Sequence, residues 1–282
     1  MKNILLPTDF SKNSWNAISY ALTLFKNQKC TFYILNTYMP SIYHINYMPK
    51  GIGYPNLITS LQENSIKNLN VIKDKIAKDF SDPLHTIETI SALNTLTSEI
   101  KEIIEKKHIH FIVMGTKGAS DAIEVMFGTN TMTVINDIKS PTIAVPKDYE
   151  FKDFDSVLFP TDYQIAYQNH HLNPIKNLIK TYNTELHTLH VKNNTDTELT
   201  KRQIANQQKL HSFFKEHEIV PHFTDDKYIP KAVDEFLIKT KADLLVMLNN
   251  KNSFFGNLFF KPIINKIGFD LKVPFLVIPS KI

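Results

Sequence analysis

The sequence predicts an α/β protein made of two tandem, doubly wound, parallel five-stranded sheets, and three observations predict it. Short apolar runs of strand length alternate with amphipathic stretches of helical spacing along the chain. The run Ile4-Leu5-Leu6-Pro7-Thr8-Asp9 recurs as Val157-Leu158-Phe159-Pro160-Thr161-Asp162. Met114–Pro146 also aligns without a gap on Met247–Pro279, placing Pro141 on Pro274 and Pro146 on Pro279. The opening motifs are 153 positions apart (160 minus 7) and the closing ones 133 (279 minus 146), so the second copy is about 20 residues shorter in its middle. The boundary is expected in the short charged stretch Lys147 to Asp155, giving units 1–147 and 154–282.

The elements of the first copy follow in order. Ile4 to Leu6 reads as a strand buried on both faces. Trp15, Ile18, Leu22 and Phe25 recur at helical spacing, and Asp9 or Ser11 can cap that helix. Thr31 to Leu35 is the second strand, and Leu69, Ile72, Ile76 and Phe80 mark a long helix. Leu84 to Ile90 is the third strand, followed by a helix through Leu96, Ile100 and Ile103. Ile109 to Met114 is the fourth, a helix runs near Thr129 to Ile138, and Thr142 to Val145 is the fifth. The second copy places strands near 156–159, 185–191, 219–224, 243–248 and 275–278. Right-handed crossovers cover such parallel sheets on both faces. Ligands then bind beyond the carboxyl ends of the strands, where the strand order reverses. Pro7-Thr8-Asp9 and the segment from Gly115 occupy those ends.

Composition narrows the function classes. The chain is 43% hydrophobic and 21% charged, the profile of a folded protein. No apolar run approaches the roughly 20 residues of a membrane helix. The opening apolar stretch is too short for a secretion signal, and Cys30 is the single cysteine, so no intrachain disulfide forms and a cytoplasmic location is expected. The net charge is +4, but 31 of the 32 basic residues are lysine and only Arg202 is arginine. The lysines are scattered, with Lys101, Lys106 and Lys107 the densest group, so no nucleic-acid face is expected. None of the 11 histidines forms an expected metal site. His187 and His190 fall on opposite faces of a strand, His170-His171 reads as solvated at a helix start, and His108 and His110 have no cysteine nearby. Asp225-Asp226 reads as a solvated loop.

The glycines carry the strongest chemical signal. The chain has seven, and Gly115, Gly118 and Gly128 lie within 14 residues between a strand and a helix. Glycine lets backbone N–H groups approach an anion, and the helix start near Thr129 adds a positive dipole end. On the glycines alone, a phosphate cradle and plain turn-and-cap roles are both open. The segment from Met114 to Asn130 holds no Gly-Lys-Ser/Thr of a Walker loop and no Gly-x-Gly of a dinucleotide fingerprint.

The spacing Gly-x2-Gly-x9-Gly-Ser/Thr, formed by Gly115, Gly118, Gly128 and Thr129, resembles the nucleotide-binding signature of the universal stress protein family. Ile4 to Ser11 is similar to that family's opening strand, Ile112 to Gly115 to its fourth and Ser140 to Pro146 to its fifth. The resemblance covers both halves and implies a tandem member with the adenine-nucleotide α-hydrolase-like fold. It further implies that the two fifth strands, Thr142 to Val145 and Phe275 to Ile278, pair edge to edge as an intrachain pseudo-dimer.

The resemblance also implies an ATP or AMP ligand, with or without magnesium. Asp9 would meet the adenosine part, with Pro7 and Thr8 shaping the turn. Thr37, with Asn36 beside it, would offer groups to the base, and Met114 and Gly115 would line the ribose and phosphate path. Gly118, Gly128, Thr129 and Asn130 would hold the phosphates, and Lys117 would add a point charge. In the second copy Gly115 becomes Leu248, Gly118 becomes Lys251, Gly128 becomes Lys261 and Thr129 becomes Pro262, which has no N–H to donate. Nucleotide is therefore expected in the first copy only, and Phe254, Phe255, Phe259 and Phe260 make the second an apolar, structural or partner-binding half.

The insert from Tyr38 to Asn56 carries four of the eleven tyrosines and is expected to be a nucleotide lid, an oligomer contact or a surface loop. The favoured function is a regulatory stress-adaptation protein that binds adenine nucleotide, acts through unidentified protein partners and associates as a homodimer. No general base for more than slow ATP hydrolysis is evident. The alternative is a nucleotide-free scaffold of the same fold. An ATP pyrophosphatase of the related fold is disfavoured, because Pro7-Thr8-Asp9-Phe10-Ser11 is not the Ser-Gly-Gly-x-Asp-Ser loop that class carries.

Overall fold

The computed structural model describes residues 1–39, 54–116, 127–152, 154–191, 198–225, 229–250 and 272–280. Among them, ten strands form a single sheet in the order β3-β2-β1-β4-β5-β10-β9-β6-β7-β8. The first half supplies β1 (Lys2–Pro7), α1 (Lys12–Leu24), β2 (Cys30–Tyr38), α2 (Tyr54–Asp79), β3 (His85–Leu93), α3 (Leu96–Lys107), β4 (Phe111–Gly115), α4 (Thr129–Asp137) and β5 (Thr142–Val145). The second supplies β6 (Ser156–Pro160), α5 (Asn169–Tyr182), β7 (Glu185–Val191), α6 (Lys201–Phe213), β8 (Ile219–Thr224), α7 (Ile229–Thr240), β9 (Leu244–Asn249) and β10 (Phe275–Pro279).

Within each half every pairing is parallel. The central strands are apolar throughout because helices cover both faces: Ile4, Leu5 and Leu6 of β1 are each 0% exposed. The expected edge pairing of the fifth strands is present. Residues Thr142, Ile143 and Ala144 lie antiparallel to Val277, Leu276 and Phe275. This one antiparallel ladder hides two sheet edges. The strand order reverses between β1 and β4, and again between β6 and β9, so a crevice lies over each pair.

Several local expectations need correction. β2 runs on to Tyr38 and α2 begins at Tyr54, so both ends of the predicted insert belong to regular elements. Its middle, 40–53, lies outside the described residues, as does the lid or contact role expected of it. Phe254, Phe255, Phe259 and Phe260 lie outside them too. Ser11, not Asp9, caps α1, its hydroxyl accepting from the Ser14 N–H. His171 is not solvated but 2% exposed. Its Nδ1 accepts from the Gln168 N–H at 3.1 Å, closing a capping box on α5, and its Nε2–H donates to the Ser280 carbonyl at 3.1 Å. One ring thus ties the start of α5 to the end of β10.

The segment between the halves packs against both of them. Tyr149 and Phe151 approach Tyr20 of α1, with ring centroids 5.9 and 5.5 Å apart. Phe154 packs on Tyr182 of α5 at 5.1 Å, and the Tyr182 hydroxyl donates to the Leu24 carbonyl of α1. The same core cluster takes in Ile4, Phe32 and Val113 from the first half and Val157, Phe159 and Ile175 from the second. The aromatic wedge gives the two sheets a continuous core on this face.

These contacts set two expectations. Truncating Phe154, which is 3% exposed, to alanine is expected to lower stability by about 3–5 kcal/mol in urea titration. The second concerns acid. Burial lowers the pKa of His171, His110 and His222 below the ordinary 6.5. A histidine kept neutral by the fold contributes stability above its unfolded pKa, and that contribution is lost as pH falls through the lowered folded value. The urea midpoint is therefore expected to drop as pH falls below about 6.5. His171→Gln keeps an acceptor at the capping-box position and should flatten that dependence.

Candidate functional site

The turn after β1 is fixed by its own side chains. Thr8 is 7% exposed, and its Oγ1 accepts from the Phe10 N–H at 3.0 Å while sitting 2.9 Å from Ser14 Oγ. Asp9 Oδ1 accepts from the Ser11 N–H at 3.1 Å. Between these bonds Phe10 takes φ 64°, a left-handed conformation that bulky residues avoid. From β2, the buried Asn36 amide donates to the Thr8 carbonyl at 2.8 Å, and the Thr8 N–H donates to the Leu35 carbonyl at 2.8 Å. The turn holds Asp9 exposed at the crevice, above the buried Thr8.

The turn after β6 repeats this pattern bond for bond. Thr161 Oγ1 accepts from the Tyr163 N–H at 3.0 Å, and Asp162 Oδ1 accepts from the Gln164 N–H at 3.0 Å. Tyr163 has φ 54°. His190 takes the place of Asn36, its Nδ1–H donating to the Thr161 carbonyl at 2.9 Å. A strained turn reproduced in both copies is a designed feature of the fold, maintained by the bonds around it.

Across the crevice, β4 ends at Gly115. A side-chain carbon there would come within 2.5 Å of the Asn13 amide nitrogen and 2.8 Å of its Cγ. The vacant side of Gly115 is thus filled by Asn13 from the first turn of α1. The chain leaves β4 at Thr116 and returns at Gly128, whose N–H donates to the Thr116 carbonyl at 2.6 Å. Gly128 is the N-cap of α4 and carries no capping side chain, whereas Ser11, Thr95 and Thr200 cap α1, α3 and α6 with their hydroxyls. Thr129 therefore does not cap α4. It is the first helical residue, exposed with Asn130 beside it, and its carbonyl accepts from the Thr133 hydroxyl. Thr131 Oγ1 donates to the Gly115 carbonyl at 2.8 Å, seating the start of α4 over the end of β4.

The structure thus brings Pro7, Thr8, Asp9, Asn36, Gly115, Gly128, Thr129 and Asn130 to one end of the sheet. Pro7 and Met114 are buried in their strands, and Thr37 is half-buried as the penultimate residue of β2. Lys117 and Gly118 lie outside the described residues. Sequence reasoning missed Asn13, Ser14 and Thr131. A signal was available for Ser14: it heads the buried helical stripe Ser14, Ile18, Leu22, Phe25, a place where a polar residue calls for a partner.

The second crevice is filled differently. Leu248 stands at the end of β9 and joins the buried core. Tyr167, six residues after Thr161 as Ser14 is after Thr8, bonds the Thr161 hydroxyl and is 1% exposed. Burial drives its phenol pKa well above the usual value. The helix starts later: the 153 offset maps Lys12 onto position 165, but α5 begins at Asn169. Gln203 and Asn206 of α6 donate to the Asp162 and Tyr163 carbonyls at 2.9 and 2.8 Å. What remains is a small hollow lined by Phe159, Pro160, Asp162, Ile165 and Leu248 among others.

Residues 1–146 match the sequence model of the universal stress protein family. Universal stress protein MJ0531 of Methanocaldococcus jannaschii is 28% identical over 148 residues, covering 52% of this chain and 82% of that protein. Universal stress protein MJ0577 of the same organism is 28% identical over 155 residues, covering 52% and 95%. In fold, the crystal structure of a universal stress protein from Archaeoglobus fulgidus DSM 4304 superposes with a TM-score of 0.69 at 20% identity, covering 98% of this chain and 96% of that one. A doubled Pro-Thr-Asp turn, a reversal of strand order over each, and a family match across more than half of the sequence converge: the chain belongs to the universal stress protein family.

Proposed function

We propose that this protein is an adenine-nucleotide-binding regulator in stress adaptation, built of units 1–147 and 154–282, with ATP or AMP bound by the first unit alone. The observation that carries this reading is the start of α4, where the N-cap Gly128 supplies no side-chain acceptor and no capping side chain is found among the described residues. The first N–H groups of a helix have no intrahelical partner, and the dipole there favours negative charge. Gly128 offers them no side-chain oxygen, while Thr131 holds the helix end over the crevice between β1 and β4. A phosphate group meets that need. Opposite it, the exposed Asp9 carboxylate is an acceptor for ribose hydroxyls or an adenine amine.

In this reading Gly128, Thr129 and Asn130 bind phosphate, joined by Gly118 and Lys117. Pro7, Thr8 and Asn36 hold Asp9 in place, Gly115 admits Asn13 against the strand end, and Thr37 and Met114 flank the base and ribose. Bound magnesium would supply charge neutralisation at the phosphates. The second unit is blocked in this reading by Leu248 and Tyr167, which occupy the corresponding space. The nucleotide acts as a ligand that changes the surface shown to protein partners. Association of two chains as a homodimer and a cytoplasmic location belong to the same proposal. Among the described residues no helix is long and apolar enough to cross a membrane.

Calorimetric titration with ATP is expected to give one site per chain. Asp9→Ala should weaken binding at least tenfold, about 1.4 kcal/mol, whereas Asp162→Ala should leave it unchanged. Two equivalent sites, or equal effects of the two substitutions, would overturn the assignment to the first unit. No binding of ATP or AMP by the intact protein would favour the nucleotide-free scaffold.

A further inference from the structure

The helix that offers its start to the phosphates is gripped at both ends by the other half of the protein. Phe127, immediately before Gly128, is 3% exposed and stacks on Phe275 of β10, with ring centroids 6.0 Å apart and planes inclined by 26°. At the far end of α4, the Asn249 side-chain amide, at the end of β9, donates to the Ile135 carbonyl at 2.8 Å. That carbonyl lies in the last turn, where the helix provides no donor of its own. Between these points Met132 and Ile135 pack with Leu245, Met247 and Val277 of the second half. Val134 and Ile138 face the first-half core, and the Thr131 hydroxyl reaches Gly115.

We propose that Asn249 and Phe275 are positioning residues for the nucleotide site of the first half, so that the second half, without contributing a ligand group, sets where the start of α4 stands. This rests on the reading of α4 as the phosphate-binding helix. Backbone N–H donors weaken steeply when misaligned with their acceptor, so a small tilt of α4 costs affinity. Phe275 fixes the helix at its start and Asn249 at its end, and the antiparallel β5–β10 ladder holds both anchors in register with the first sheet. By linkage, bound nucleotide stabilises the contact between the halves to the same degree that the contact favours binding.

The test titrates ATP into the full-length protein and its Asn249→Ala, Asn249→Gln and Phe275→Leu variants, with a urea midpoint for each to establish that it folds. Asn249→Ala is expected to weaken ATP binding about fivefold, near the lower end of typical coupling between sites. Asn249→Gln, which keeps an amide donor, should restore affinity to within about twofold of the parent. Phe275→Leu, which keeps an apolar side chain but removes the ring stack, should weaken binding in the same direction. Unchanged affinity in Asn249→Ala, or an equal loss in the alanine and glutamine variants, would overturn the positioning role while leaving the nucleotide site standing. A parent protein that binds no ATP would remove the site and this inference together.

Discussion

The short antiparallel ladder between β5 and β10 is the constraint on which the rest of this molecule depends. Two parallel sheets with free fifth strands would each expose a row of unpaired backbone groups. Pairing them in one chain satisfies those groups and brings the helices beside the seam into shared cores. On one face, Tyr149, Phe151 and Phe154 wedge between α1 and α5. On the other, α4 lies across the seam, with Phe127 against Phe275. The halves are therefore coupled by apolar packing around the ladder rather than by the ladder's few hydrogen bonds. Burying apolar surface stabilises such a contact more than exchanging water for backbone partners does.

The two crevices share one turn design and differ in the side chains around it. Both Pro-Thr-Asp turns make the same internal bonds and place a bulky residue at positive φ. A buried polar group from the neighbouring strand satisfies the threonine carbonyl in each, Asn36 in one and His190 in the other. The contents diverge through two size exchanges. Gly115 with Asn13 leaves a polar strand end, whereas Leu248 and Tyr167 line a small hollow with apolar volume and a buried phenol. The second half also starts its helix four residues later, at Asn169 instead of the mapped position 165.

Much of the fold was legible because it is written in local periodicity. Buried parallel strands such as Ile4 to Leu6 read as unbroken apolar runs, and the helix of Trp15, Ile18 and Leu22 read by its spacing. Repetition of Pro-Thr-Asp and of the closing prolines located the two units without any structural information. The strand ends, and hence the crevice that gathers Asp9, Gly115 and Gly128, followed from the alternation of strands and helices. Local patterns fared worse where a residue's role depends on a distant partner. His171 looked solvated because its acceptor, the Ser280 carbonyl, is 109 residues away.

By itself, then, the sequence determined the fold class, the duplication and the end of the sheet at which Asp9, Gly115 and Gly128 gather, because each depends on the order of apolar and small residues along a short stretch of chain. Only the tertiary structure decided that Asn13 fills the space beside Gly115, that the segment joining the halves is an aromatic wedge, and that α4 is anchored from the opposite half by Asn249 and Phe275. These are contacts between residues separated by tens to more than a hundred positions. They are created by docking one sheet edge on another, and no local propensity or spacing records which side chains that docking will bring together.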